Sequence, residues 1–386
     1  MSLVYIIAGE ASGDLIGARL IDALREQRLD LDVCGIGGAA MAARGVVSLF
    51  PMRELALMGL VEVLPNLLRL RARLAQTVAD IAARRPSVLV TIDSPGFTLR
   101  VLRRVAPLGI RRVHYVAPQV WAWREGRVRH FPGLWDELLC LLPFEPEFFA
   151  RHNLPARFVG HPVLESALAA GDAARFRAAH GLAAEARVLL LMPGSRRSEI
   201  ARHAPLFAAT LARLATALPG LVPVVPVAET VAGMEGAALA GWSPRPILLS
   251  GEAAKADALA AARASAGAAL VKSGTATLEV ALAGVAQIVT YRMNPLTAAL
   301  ARRLIRVRHA SLVNLLAGRE ILPEYLQDRA TPDALAAGLL PLLTDPAAAQ
   351  AQRDAAAAPL ALLRAPDGLS PSQAAAAAVL RLLDRG

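Results

Sequence analysis

Cysteine is nearly absent: in 386 residues only Cys34 and Cys140 occur, each inside an apolar stretch. They show neither a disulfide framework nor a metal-ligand spacing, which excludes a stapled scaffold and suits a reducing compartment. Long apolar runs are missing too. No uninterrupted stretch reaches the roughly 18–20 residues that a membrane-crossing helix needs, so a soluble or peripheral protein is expected. Met1-Ser2-Leu3-Val4-Tyr5-Ile6-Ile7 enters a strand pattern with no basic leader or cleavage site, so no signal peptide is expected. Charged residues make up only 19% and aromatic residues 4% of the chain. Acidic residues are in deficit, 32 against 42 basic ones, leaving a net charge of +10. That balance implies an acidic partner, whether nucleic acid, an anionic membrane surface or a phosphorylated substrate. The arginines are dispersed and no nucleic-acid module appears, so no nucleic acid is expected among the partners.

What the chain does have is alternation. At 386 residues and 55% hydrophobic composition, two domains of ordinary size are expected. Strand patterns alternate with helix patterns throughout, which implies an α/β fold of doubly wound parallel sheets. A strand at 4–8 leads into Gly9-Glu10-Ala11-Ser12-Gly13-Asp14 and a helix over 15–26. This loop is not a Walker loop, and it lacks the full G-x-G-x-x-G spacing. A second strand enters the glycine turn Gly35-Ile36-Gly37-Gly38, with a helix start near Ala40. The strand at 87–93 ends in Asp93, followed by Ser94-Pro95-Gly96-Phe97. A carboxylate there lies where parallel sheets hold ligands, although it could equally cap the next helix. Of four tryptophans, Trp121 and Trp123 share one loop with Arg124, which suggests a shaped surface.

A second series starts at Arg187, with a strand over 188–192, the turn Pro193-Gly194-Ser195-Arg196-Arg197 and a helix from Ser198. Guanidinium groups in a glycine turn before a helix favour phosphate, because Arg adds bidentate donors to the backbone N–H groups. Residues 267–291 repeat the plan: a strand, the loop Ser273-Gly274-Thr275, a helix over 276–283 stopped by Gly284, and another strand. Unpaired N–H groups and the helix dipole converge on such a loop. Glu279, one turn inside, suits sugar hydroxyls better than phosphate; the plainer alternative is a βαβ unit with a serine cap and an exposed glutamate. The expected domains are 1–164 and 165–365, followed by a C-terminal helical segment, 366–386, free to return to the first domain. Ser370-Pro371-Ser372-Gln373 has the form of a capping box. Residues 55–81 crowd Leu60, Val63, Leu64, Leu67, Leu68 and Leu70 together with Arg69, Arg71 and Arg73. Either this is an amphipathic helix packed on the sheet, or it is an interfacial helix whose apolar face is rimmed by arginine.

The motifs then converge on one family. AGEASGD (8–14), GIGG with Met41 after it, ELALMGLVEVLP (54–65), IDSPGF (92–97) and HYVAPQVWAWREGR (114–127) occur in this order. LLPFE (141–145), VGHP (159–162), MPGSRRSEI (192–200), SGTATLE (273–279) and SLVNLLAG (311–318) follow. Together they resemble the lipid-A-disaccharide synthase family over nearly the whole chain, to about Gln327. The resemblance implies a GT-B glycosyltransferase, two facing Rossmann-like domains with a cleft between them. Its implied reaction joins UDP-2,3-diacylglucosamine to 2,3-diacylglucosamine 1-phosphate (lipid X), with inversion, giving a β(1→6) disaccharide and UDP.

By the same resemblance Asp93 is the general base, with Glu10 and Asp14 as second choices and Ser12 and Gly13 beside them on the acceptor side. Arg196 attends the leaving diphosphate with Gly194, Ser195 and Arg197. Ser273, Gly274 and Thr275 take the remaining phosphate oxygens, Glu279 the ribose, and Asn314 and Gln327 further polar contacts. Trp123 and Arg124 shape the sugar or acyl pocket or are structural. No metal and no cofactor is implied, and no Asp-x-Asp motif of the kind used by divalent-cation glycosyltransferases is read in the sequence. Acyl-bearing substrates favour the interfacial reading of 55–81, hence peripheral association with the cytoplasmic face of a Gram-negative inner membrane. Four positions depart from the family pattern: Lys272, Ala286, Gln287 and Gly96. Another GT-B enzyme, either a peptidoglycan GlcNAc transferase or a UDP-GlcNAc 2-epimerase, is the alternative.

Overall fold

The computed structural model describes residues 2–55, 67–227, 239, 241–294 and 307–384. The chain divides into two compact units, Met1–Leu164 with Leu363–Gly386, and Glu165–Leu362. The first unit is built on six strands: β1 (Ser2–Ala8), β2 (Leu31–Ile36), β3 (Val88–Ile92), β4 (Arg111–Tyr115), β5 (Glu137–Cys140) and β6 (Ala156–Phe158). They pair in parallel in the order β2-β1-β3-β4-β5-β6. Strand β3 is buried at every residue, which is why it reads as a continuous apolar run instead of an alternating one. Successive side chains of β1 serve opposite faces. Val4, Ile6 and Ala8 meet the Ala11–Gln27 and Pro371–Leu383 helices. Tyr5 and Ile7 join a core with Leu74 and Ile81 of the Leu67–Arg84 helix and Leu99 and Leu102 of the Pro95–Val105 helix.

The Pro371–Leu383 helix is the last element of the chain, and it belongs to the first unit. Its capping box is present, with Ser370 Oγ accepting from Gln373 N at 3.2 Å and Gln373 Oε1 accepting from Ser370 N at 3.1 Å. Ala374, Ala375, Ala376 and Ala378 bury a small-residue face in the core beside the Ala11–Gln27 helix.

The second unit pairs β7 (Val188–Met192), β8 (Val222–Val227), β9 (Ile247–Ser250), β10 (Ala268–Lys272), β11 (Ala286–Tyr291) and β12 (Glu324–Leu326). Its order is β12-β11-β10-β7-β8-β9, all parallel. Leu189 and Leu191 pack with Phe207 and Leu211 of the Arg197–Ala217 helix. Val188 and Leu190 pack with Ala258 and Leu259 of the Glu252–Ala264 helix. Each sheet is therefore covered on both faces, as parallel sheets require. Among the described residues no helix is long and apolar enough to cross a membrane.

Candidate active site

In the first sheet the chain steps from β1 outward to β2, then returns to lay β3 on the other side of β1. The loops leaving β1 and β3 therefore diverge at a topological switch point, where open parallel sheets bind ligands. Gly9 follows β1 and Asp93-Ser94 follow β3. A Cβ placed on Gly9 would lie 2.3 Å from Ser94 Oγ, so glycine is what lets the two loops close up. Asp93 and Ser94 both adopt left-handed φ, 49° and 46°. Ser94 also precedes Pro95, which disfavours helical backbone at that position. Such conformations cost about 1–3 kcal/mol each in non-glycine residues and persist only where surrounding structure imposes them. Here Asp93 N donates to Tyr115 O at 2.9 Å, and Thr98 Oγ1 donates to Asp93 O at 2.7 Å and Ser94 O at 3.0 Å. Val116, at the end of β4, is a third left-handed residue at φ 77°, and a β-branched one. Strain thus collects along one carboxyl edge of the sheet. Ser94 Oγ is buried there with no hydrogen-bond partner among the described residues.

The neighbouring acceptor-side residues divide by role. The helix after β1 begins at Ala11, earlier than the sequence pattern suggests, so Ser12, Gly13 and Asp14 belong to its first turn. The reason is local: Asp14 N already donates to Glu10 O at 2.9 Å, and an acidic residue is favoured in a first turn. Glu10 is the half-buried N-cap residue and Ser12 is exposed. Asp14 is not a poised base. It is 5% exposed and accepts from Gly38 N at 2.7 Å, Ala40 N at 2.8 Å and Met41 N at 3.1 Å, so its two oxygens hold the GIGG turn.

Trp123 is 41% exposed with the Arg124 guanidinium 4.5 Å over its ring. Trp121 turns inward, donating from Nε1 to Glu145 Oε1 at 2.9 Å. Glu145 also accepts from Leu141 N and Leu142 N, each at 3.0 Å. Burial pushes its carboxyl up to about 7, against the pull of those three N–H donors. His114, in the same motif as the tryptophans, is a core residue: Nδ1 meets Thr91 Oγ1 at 2.8 Å and burial drives its pKa down to about 3, so the ring is neutral.

The second sheet has its switch point between β7 and β10, and both candidate anion loops leave those strands. Gly194 holds φ 133°, and a Cβ there would come within 2.7 Å of the Glu199 side chain. Ser195, Arg196 and Arg197 are exposed at the start of the Arg197–Ala217 helix. Glu199 organises this turn. Its Oε1 accepts from Lys272 Nζ at 2.9 Å and Arg196 NH1 at 3.3 Å, while Oε2 accepts from Ser195 N at 3.2 Å. Lys272 closes β10, so the pair ties the 193–197 loop to the 273–275 loop. Burial pushes the Glu199 carboxyl up, but Lys272, the Ser195 N–H and Arg196 together outweigh it and hold it below the ordinary value.

Around the second loop several expected ligand contacts are internal. Ser273 does not cap the Ala276–Leu282 helix; its Oγ donates to Ala310 O at 2.7 Å. Gly274, at φ 158°, and Thr275 stay exposed at the helix start. Asn314 is a correction. It is fully buried, donates to Leu322 O at 2.7 Å and Glu324 Oε1 at 2.8 Å, and accepts from Ile321 N and Leu322 N, both at 2.8 Å. Its two donors and two acceptor positions are all taken, leaving nothing for a ligand. Glu324 completes this clamp by accepting from Ser311 N at 2.8 Å and Ala310 N at 2.9 Å, so the network fixes the carbonyl that holds Ser273. Glu279 is ion-paired with Lys255 at 2.9 Å, so it is not a lone exposed glutamate. Gln327 follows β12 at φ 52° and its Oε1 accepts from Met293 N at 3.3 Å.

Glu199 and Glu324 were not singled out from the sequence. The available signal is a carboxylate two residues after a cationic glycine turn, and another opening a short strand.

Of the arginine-rimmed patch, Leu60, Val63 and Leu64 lie outside the described residues. Leu67 and Leu70 are half-buried, Leu70 against the core, while Leu68 is 79% exposed beside exposed Arg69 and Arg71. Arg69 and Arg73 both pair with Glu54, at 2.9 and 2.7 Å. Among the described residues no group of three His, Cys, Asp or Glu side chains is arranged to hold a metal ion.

A family model described as lipid-A-disaccharide synthetase matches residues 4–378. The chain belongs to the lipid-A-disaccharide synthetase family. The lipid-A-disaccharide synthase of Granulibacter bethesdensis is 54% identical over 392 residues, covering 99% of this chain and 98% of its own. That of Rhodospirillum centenum is 47% identical over 386 residues, covering 99% and 95%. Among solved structures, a UDP-GlcNAc 2-epimerase from Neisseria meningitidis bound to UDP-GlcNAc aligns over all of both chains with TM-score 0.64 at 11% identity. The glycotransferase of kitacinnamycin aligns over 98% of both chains with TM-score 0.62 at 17% identity. At such identities the likeness is one of fold alone, the two-domain α/β arrangement called GT-B. Membership in the lipid-A-disaccharide synthetase family makes this chain a glycosyltransferase that forms the lipid A disaccharide, and the epimerase and peptidoglycan alternatives are not favoured.

Proposed function

We propose that the protein transfers 2,3-diacylglucosamine from its UDP derivative to the 6-hydroxyl of 2,3-diacylglucosamine 1-phosphate by a single inverting displacement. The observation that carries the division of labour is chemical asymmetry at the two switch points. One has a strained carboxylate turn, Asp93-Ser94, and the other a cationic pair of glycine loops. Asp93 takes the proton of the acceptor hydroxyl as the new oxygen–carbon bond forms at the anomeric carbon. The bond from that carbon to the diphosphate breaks, and UDP leaves with the electron pair. Because one face is attacked as the other is vacated, an α-linked donor gives a β product. A base of this kind contributes about 10²–10⁴-fold.

Arg196, the Gly194 N–H and the 273–275 loop offset the charge that develops on the diphosphate, with the Ser195 N–H held by Glu199. Lys272, beside them, adds a further cation, so this role needs no divalent ion. Glu279 with its Lys255 partner, and Gln327, are assigned to the nucleoside. Glu10, Ser12, Trp123 and Arg124 are assigned to the acceptor. Exposed Leu68 with Arg69 and Arg71 supports peripheral docking on the anionic cytoplasmic face of the inner membrane, where acyl-bearing substrates reside.

The test is UDP release from UDP-2,3-diacylglucosamine in detergent micelles, with and without the acceptor and with EDTA. Release that depends on acceptor and survives EDTA is expected. Release indifferent to the acceptor would refute the transfer, and loss with EDTA would refute metal independence.

A further inference from the structure

A cavity of about 570 Å³ opens on the first unit between the Pro95–Val105 helix and the 125–130 turn. Leu99 and Phe131 form its buried apolar floor, and Arg100, Arg103, Arg127 and His130 line it as exposed basic groups. Among the described residues no carboxylate lines it. Among the described residues neither Arg100 nor Arg127 takes part in an ion pair, whereas Arg69, Arg73 and Arg84 nearby in sequence are all matched to acids. Arg103 ties the two walls together by donating to His130 O at 3.1 Å. The cavity begins directly after the strained turn, with Pro95 and Gly96 in its wall. Gly96 has open space where a Cβ would stand, so no side chain closes the cavity at that point. Asp93 and Gly96 are three residues apart, so their Cα atoms are at most about 11 Å apart. The proposed reaction leaves these arginines without a role, since it places the diphosphate in the other unit.

We propose that this cavity binds a phosphate monoester, the one carried by the acceptor sugar, while the sugar's far hydroxyl reaches Asp93. The inference rests on the transfer reaction above and adds the element that selects a phosphorylated acceptor. A phosphate monoester carries about −1.5 to −2 charges at neutral pH and three acceptor oxygens, which several guanidinium forks share. Arginine suits this better than a lone lysine because each fork fixes direction as well as charge. The apolar floor suits the hydrocarbon that accompanies the sugar. Phosphate on a membrane phospholipid offers the same chemistry, so the test separates the two sources.

Arg100→Gln/Arg127→Gln changes two exposed side chains, and an unchanged melting temperature will verify folding. Three quantities are measured. The first is equilibrium binding of 2,3-diacylglucosamine 1-phosphate in neutral micelles. The second is kcat/KM for that acceptor against its dephosphorylated form. The third is co-sedimentation with vesicles of anionic phospholipid. The variant is expected to lose about tenfold or more in binding and in the preference for the phosphorylated acceptor, with the KM for the UDP-sugar within about twofold. Unchanged binding and an unchanged preference would overturn the proposal. Loss of vesicle binding alone, with micellar binding intact, would assign the cavity to membrane phospholipid and also overturn it. If the wild-type protein shows no acceptor-dependent turnover, the transfer reaction fails, and the binding measurement still decides whether the cavity holds the phosphate.

Discussion

Replacing Glu199 by Gln tests the anion loops at their least visible support. The glutamate and Lys272 side chains are only 11% and 14% exposed, and their atoms meet at 2.9 Å. Glutamine keeps the volume but removes the charge, leaving the Lys272 ammonium a neutral amide oxygen and the Tyr291 ring, 5.2 Å away, in place of a carboxylate. Removing one partner of a buried pair costs about 3–5 kcal/mol, and slight exposure puts this pair near about 3. For a unit of this size each kcal/mol moves the melting temperature by about 2–4 °C, so calorimetry should record a fall of about 6–12 °C at pH 7.

The pH dependence has a defined sign. Glu199 is held below its ordinary value, so its stabilisation is full above the unfolded pKa and fades as pH falls through the folded one. The gap between wild type and E199Q should therefore be widest near neutrality and close in acid. Combining E199Q with Lys272→Met should cost less than the sum of the single changes, because the second removes the charge that the first leaves unpaired. A melting temperature within about 1 °C of wild type at pH 7, or a gap indifferent to pH, would refute the assignment.

Glu145, pushed up to about 7, behaves with the opposite sign: its stabilisation is full below the unfolded carboxylate value and is lost as pH rises through the folded one. Trp121 donates to that carboxylate, so tryptophan emission should titrate with a midpoint near 7 and the transition should vanish in Glu145→Gln. Gly9→Ala should push Ser94 and Asp93 out of place, costing about 1–3 kcal/mol with a fall in kcat, and Ser94→Gly should restore part of both. Leu68→Glu should weaken vesicle binding by about tenfold without changing micellar turnover, since a leucine loses about 1.5–3 kcal/mol of burial. Equal vesicle binding would remove Leu68 from the membrane surface.

Much of the fold is legible because buried parallel strands write themselves as short apolar runs between glycine turns, as at 188–192 and 268–272. The position of Asp93 just past the end of β3 is legible for the same reason, while its chemical role is not written in the strand pattern. The capping box at Ser370 is legible from four residues. What the sequence conceals is which polar residues face inward. Asp14, Asn314 and Ser273 look like ligand contacts by type and position, yet their partners are backbone groups, and for Asn314 also the Glu324 carboxylate, brought close only by the tertiary fold. Glu199 is concealed for the converse reason, since an acid in a cationic turn looks unhelpful until Lys272 arrives from the neighbouring strand. The start of the first helix was obscured by Ser12 and Gly13, residues that read as loop but here form a first turn.

The most direct measurement of the central claim compares Asp93→Asn with wild type for both turnover and UDP affinity. Asparagine keeps the size and tolerates the left-handed backbone but cannot accept the acceptor's proton. The account predicts a fall in kcat of about 10²–10⁴-fold with the Kd for UDP unchanged within about twofold. A D93N enzyme turning over at near the wild-type rate would contradict it.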